Sequence, residues 1–130
     1  MGVQRFEDLI VWQHARQYCA EIGRLTSRPN FFRQRVLQER MDKTAMSIVE
    51  NIAEGFERES RREFAQFLKV ARGSTAEART QLYLAKDRNL LQEGEFDQLF
   101  EMVTGIGKML RRLRVTILRS ETAPGRVQTA

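Results

Sequence analysis

Apolar residues recur along this chain in steps of three and four, in four separate runs. Such steps return to the same side of an α-helix, so each run marks one buried stripe. The first run is Leu9, Trp12, Ala15, Cys19, Ile22 and Leu25, and it predicts a helix over about 6–25. Glu7 and Asp8 stand in its first turn, and Arg24 and Arg28 near its end, each sign where the helix dipole favours it. Pro29 should stop it. The second run, Leu37, Met41, Ala45, Ile48, Ile52 and Phe56, predicts a helix over about 32–55, with Met41 and Met46 able to fill irregular gaps. Phe64, Phe67, Ala71, Thr75, Ala78, Leu82 and Ala85 predict a third helix over about 61–89. Phe96, Leu99, Val103, Ile106, Leu110, Leu113 and Ile117 predict a fourth over about 93–119, with the most regular, coiled-coil-like alternation.

The breaks between runs are short. Gly55 is placed to end the second helix in the left-handed conformation. Ser60-Arg61-Arg62-Glu63 fits a capping box that starts the third. Only Phe56, Glu57, Arg58 and Glu59 lie between them, which leaves room for a tight antiparallel corner and little else. Four stripes joined by short turns predict an all-α, antiparallel up-down-up-down four-helix bundle over 1–119. Residues 120–130, with Pro124 and Gly125, read as a disordered tail.

Two polar or small patterns add detail. Ala71, Gly73, Ser74, Ala76 and Ala78 give the third helix a small-residue middle. Glycine inside a helix costs about 1 kcal/mol against alanine, so Gly73, like Gly105 and Gly107, is expected where another helix approaches closely. Ser47, Asn51 and Glu54 form a polar line beside the second stripe. The expectation is a solvated flank; the alternative is an interhelical hydrogen-bond row that fixes register or oligomer contacts.

Composition narrows the class. A chain of 130 residues with 42% hydrophobic residues is one domain with enough apolar matter for a core. Cys19 is the only cysteine, so no intramolecular disulfide can form, and a reducing cytoplasm is the expected location. No signal peptide is visible and no apolar run reaches membrane length. Candidate chemistry is sparse. His14 is the sole histidine and lies off the first stripe, so no His/Cys metal set can form within one chain. Cys19 lies on the stripe, where a buried small hydrophobe is expected rather than a nucleophile. The Glu-x-x-His motifs of di-iron bundles and the Gly-rich phosphate loops are absent. No metal, no cofactor and no enzymatic activity are therefore expected.

Charge is more informative. The chain carries a net charge of +5 and a pI near 10.0. Arg62, Lys69, Arg72, Arg79 and Lys86 follow one another at spacings of seven, three, seven and seven. On a continuous helix they form one strip beside the apolar stripe, free of carboxylates. Arg58 and Arg61 extend it into the corner, and Lys108, Arg111, Arg112 and Arg114 add charge to the fourth helix. Two readings fit the strip equally: long basic side chains covering apolar flanks, or a face for a polyanion. With Phe64 and Phe67 assigned to the stripe, a polyanion would be held by its backbone rather than its bases.

Two motifs resemble a known family. Phe6-Glu7-Asp8-Leu9-Ile10-Val11-Trp12-Gln13 is similar to its opening motif. Ser47-Ile48-Val49-Glu50-Asn51-Ile52-Ala53-Glu54-Gly55 is similar to its central one, followed by Glu63-Phe64, Phe67-Leu68, Ala71, Gly73-Ser74, Glu77 and Gln81-Leu82. The family comprises small bacterial four-helix-bundle proteins, the ribosomal RNA intervening-sequence proteins. Some are encoded within insertions in large-subunit ribosomal RNA genes, and many are labelled ribosomal-like. A distant relative is the accessory variability determinant of diversity-generating retroelements, a basic pentamer that binds nucleic acid. The resemblance implies a homopentameric helical assembly, and it makes Asn51, Glu54, Gly55, Gly73, Ser74 and Glu77 a signature set. The chain departs from the family between Pro29 and Asp42, where Arg28-Pro29-Asn30-Phe31-Phe32-Arg33-Gln34-Arg35 replaces the usual Phe-Pro turn and glutamate. The expected partner is nucleic acid, RNA in preference, met at Arg58, Arg61, Arg62, Lys69, Arg72, Arg79 and Lys86. The alternative is a protein-interaction scaffold with no direct nucleic-acid role.

Overall fold

The computed structural model describes residues 2–120, so all of the expected tail beyond Ser120 lies outside the described residues. Four helices follow one another: α1 (Ile10–Thr26), α2 (Arg35–Phe56), α3 (Arg61–Asp87) and α4 (Glu95–Arg119). Short 3-10 turns at Phe6–Asp8 and Pro29–Phe31 precede α1 and α2.

The pairings run in opposite chain directions, as the short corners require. Along α2 and α3, Thr44 meets Gln81, Ser47 meets Ser74 and Gly55 meets Phe67. Along α3 and α4, Arg114 reaches the Ala65 carbonyl, Thr75 meets Gly107 and Tyr83 meets Phe96. α1 packs on α2 and α4. The result is an all-α bundle around one apolar core, including Ile22, Ile48, Ile52, Leu68, Leu82, Val103 and Leu110.

Ser60 begins α3 as its sequence predicts, its hydroxyl accepting from the Glu63 amide at 3.1 Å. α3 ends in a Schellman motif: Leu90 N–H donates to Ala85 O and Asn89 N–H to Lys86 O, with Asn89 at φ 57°. The left-handed cap expected of Gly55 at the end of α2 is not formed, since α2 ends on Glu57 in the right-handed region at φ −79°. Gly55 itself lies inside α2, which runs on to Phe56. Its missing side chain serves packing instead, because a Cβ there would lie 2.6 Å from the Phe67 Cβ.

Other expectations are corrected. Around Gly73 and Gly105 a Cβ would meet nothing within 4 Å, so no helix of this chain packs closely there. Gly107 alone of the three lies in close contact. In α1, Val11 and Tyr18 are buried, while Trp12 and Cys19 are half-buried. A helix with neighbours on two sides buries a wider arc than one stripe. α2 starts at Arg35 rather than near 32, because the Pro29–Phe31 turn tucks Phe31 into the core and leaves Phe32 exposed. Met46, expected to fill a gap, is also exposed.

The polar line on α2 is only partly solvated. Ser47 Oγ hydrogen-bonds Ser74 Oγ at 3.1 Å, and Asn51 Nδ2 donates to the Ser47 carbonyl at 2.8 Å and to its hydroxyl at 3.0 Å. The interhelical alternative holds for Ser47, which Asn51 braces from within α2, whereas Glu54 is exposed.

Candidate functional site

α3 is an unbroken helix from Arg61 to Asp87, so the spacing of its cations becomes real geometry. Lys69, Arg72, Ala76, Arg79, Tyr83 and Lys86 advance in alternating steps of three and four and share one side of the helix. That side adjoins α4. Between the two helices lies a groove of about 550 Å³.

Small residues make the groove deep. Gly73, Thr75 and Ala76 of α3 line it with Thr104 and Gly107 of α4. Thr75 is held by donating its hydroxyl proton to the Arg72 carbonyl at 2.6 Å. Thr104 Oγ1 is buried with no hydrogen-bond partner. Around these stand five cations, Lys69, Arg72 and Arg79 from α3 and Lys108 and Arg111 from α4. Among the described residues, no carboxylate lines the groove. Cations gathered in a concave, carboxylate-free surface concentrate positive potential there. Ion pairs among the described residues lie away from the groove, such as Arg58 with Glu54, Arg24 with Glu21, Arg5 with Glu7, and Arg28 with Glu95.

The residues expected to form one face therefore separate into groups. Lys69, Arg72 and Arg79 line the groove. Arg58 pairs with Glu54 at 3.1 Å and lies over the Phe67 ring at 4.8 Å, in the α2–α3 corner. Arg61 is half-buried at the start of α3, and Arg62 is exposed beside it. Lys86 stands at the opposite end, its Nζ 4.6 Å above the Phe96 ring. On α4, Arg112 turns to a second groove with His14, between α1 and α4, and Arg114 Nε donates to the Ala65 carbonyl at 3.2 Å.

Beside Lys86 lies an aromatic cluster that the sequence reading did not assemble. Phe96 and Phe100 stack at 5.1 Å, and Tyr83 meets both rings at 4.9 and 5.4 Å. The signal was present: Tyr83 sits four residues after Arg79 and three before Lys86, on the same helix face.

The other candidate chemistry is subdued. Burial raises the Cys19 thiol pKa, and the neighbouring Asp42 and Glu50 charges push it the same way. A thiol so disposed is a poor nucleophile. His14 is exposed. Among the described residues, no three of His, Cys, Asp and Glu converge as a metal would require. No described helix is long and apolar enough to cross a membrane.

The two motifs that shape α1 and the α2–α3 pair fall, apart from Phe6, within a longer match. The family model described as 23S rRNA-intervening sequence protein matches residues 7–112, a span that covers α1, α2, α3 and most of α4. The chain belongs to this family. A search among curated proteins finds no match to it. Within the intervening-sequence bundle the signature residues divide. Gly55 and Ser74 build the α2–α3 contact and Asn51 braces Ser47, the α2 partner of Ser74, while Glu54, Gly73 and Glu77 are exposed.

Proposed function

We propose that this protein is a non-enzymatic RNA-binding bundle that holds the sugar-phosphate backbone in the α3–α4 groove. The observation that carries this reading is the lining itself: five cations from two helices face one concavity, with no carboxylate among the described lining residues. Side chains that served only solubility would gain nothing by converging. The family's description, which names 23S rRNA, agrees with a nucleic-acid partner. Lysine and arginine in a groove meet phosphates without reading sequence, so binding is backbone-directed. The expected site of action is the cytoplasm.

Filter binding with generic RNA over a range of salt concentrations tests this. Affinity falls with salt as counterions are released, and replacing Arg62, Lys69, Arg72 and Arg79 by Glu abolishes retention. Undiminished retention by that variant overturns the reading.

We also propose that the protein works as a homo-oligomer, a pentamer on the family resemblance. Phe32 and Val36 support an assembly surface, since each is 68% exposed at the entrance to α2. A monomer mass by light scattering at micromolar concentration contradicts it. The same two side chains favour a second reading, a scaffold that docks another protein. Recovery of one defined protein partner after nuclease treatment, with no RNA binding, would support that reading over the first.

A further inference from the structure

The groove ends against the aromatic cluster of Tyr83, Phe96 and Phe100, and we infer that this cluster is a stacking platform for unpaired bases, making the protein selective for single-stranded RNA. The inference rests on the backbone-binding reading and adds to it the strandedness of the ligand.

Three observations converge. The cluster continues the groove: Arg79, Tyr83 and Lys86 alternate on α3, while Phe96, Phe100 and Thr104 follow one row of α4. A strand laid from Lys69 to Lys86 would cover about 25 Å of helix and pass the basic lining before reaching the rings. Next, the rings are not simply core. Tyr83 is 51% exposed, and Phe96 and Phe100 are half-buried, whereas a cluster that only closed the bundle would bury its tyrosine. Last, the electrostatics suit a nucleotide. Lys86 Nζ over Phe96 places a cation where a phosphate beside a stacked base would find it.

A duplex cannot use this arrangement in full. Its phosphates can reach the groove cations, but its bases are stacked within the helix and closed to side-chain rings. A single strand offers phosphate and base faces together, and stacking on aromatic side chains tolerates any base. Sequence tolerance with strand selectivity is the expected pattern.

The experiment compares an unstructured RNA oligonucleotide with the same sequence annealed to its complement, by fluorescence anisotropy, on the full chain. Wild type should bind the single strand more tightly. Tyr83→Ala should weaken single-strand binding by about tenfold and leave duplex binding unchanged, while Tyr83→Trp restores it. Circular dichroism and light scattering on each variant report fold and assembly. If Tyr83→Ala binds both ligands as wild type does, while Arg72→Glu with Arg79→Glu loses both, the stacking platform is overturned and the backbone reading stands. If wild type binds neither ligand, the backbone reading fails and the platform with it. If Tyr83→Ala changes the oligomeric mass and leaves binding intact, the cluster is a contact between copies and the inference is overturned.

Discussion

Gly107 of α4 faces Thr75 of α3 so closely that a Cβ on the glycine would lie 3.0 Å from the threonine hydroxyl. Thr75 cannot easily yield, because it is 1% exposed and its hydroxyl is bound to the Arg72 carbonyl. This contact sets the depth of the basic groove. Gly107→Leu should therefore cost about 1–3 kcal/mol and also weaken RNA retention. Gly73→Ala, on the same groove but with open space around it, should instead add about 1 kcal/mol through helix propensity. Urea unfolding of the two variants checks the contrast. Equal effects would mean that the two glycines are not packed as described.

Gly55 should be the least tolerant glycine in the bundle. An alanine there gains helix propensity, yet its Cβ would meet the Phe67 Cβ at 2.6 Å, and a Cβ cannot rotate away. Separation of α2 from α3 at that level should cost roughly 1–3 kcal/mol net. Thermal unfolding of Gly55→Ala should show the loss. An unchanged midpoint would show that the corner relaxes freely.

The corner after α1 is tied to the start of α4 by Arg28 and Glu95, paired at 2.8 and 2.9 Å. Arg28 Nη2 also donates to the Leu90 carbonyl, which accepts from Asn30 as well. Burial raises the Glu95 pKa, but the Arg28 hydrogen bonds, the Gln92 amide and the Arg28 charge outweigh it, and the carboxyl titrates below its ordinary value of 4.5. A depressed folded-state pKa stabilises the fold above the unfolded value and loses that contribution as pH falls through the folded one. Glu95→Gln should cost about 1.5–3 kcal/mol at pH 7. Its deficit against wild type should shrink below pH 4.5, as the wild-type carboxylate protonates. Denaturant titrations of both proteins at neutral and acidic pH measure this. A deficit independent of pH would assign the loss to packing.

The helices were legible in the sequence because their stripes are long and regular. The α3 start was legible because Ser60 caps it, and its unbroken length because no proline interrupts it. The roles of single glycines were not. Gly55, Gly73 and Gly107 look alike in a sequence, and only the neighbouring helix decides which is crowded. The face of α1 was incomplete for a similar reason: Val11 and Tyr18 are buried as well, on a helix that packs against both α2 and α4. The strip on α3 was visible as spacing. Its meeting with Lys108 and Arg111, and that of Tyr83 with Phe96 and Phe100, depends on how α3 and α4 pair, which local sequence does not encode.

The groove, rather than the net charge of +5, should govern RNA affinity. Two variants with the same change in charge separate these causes. One carries Lys69→Glu, Arg72→Glu and Lys108→Glu within the groove; the other carries Arg16→Glu, Arg33→Glu and Arg40→Glu on exposed surface away from it. The salt dependence of binding to one RNA should be measured for both and for wild type. The groove variant should lose most of its affinity, and the slope of log K against log salt should fall by about 0.7 for each phosphate contact removed. The surface variant should keep a slope close to that of wild type. Equal losses in the two variants would contradict the account.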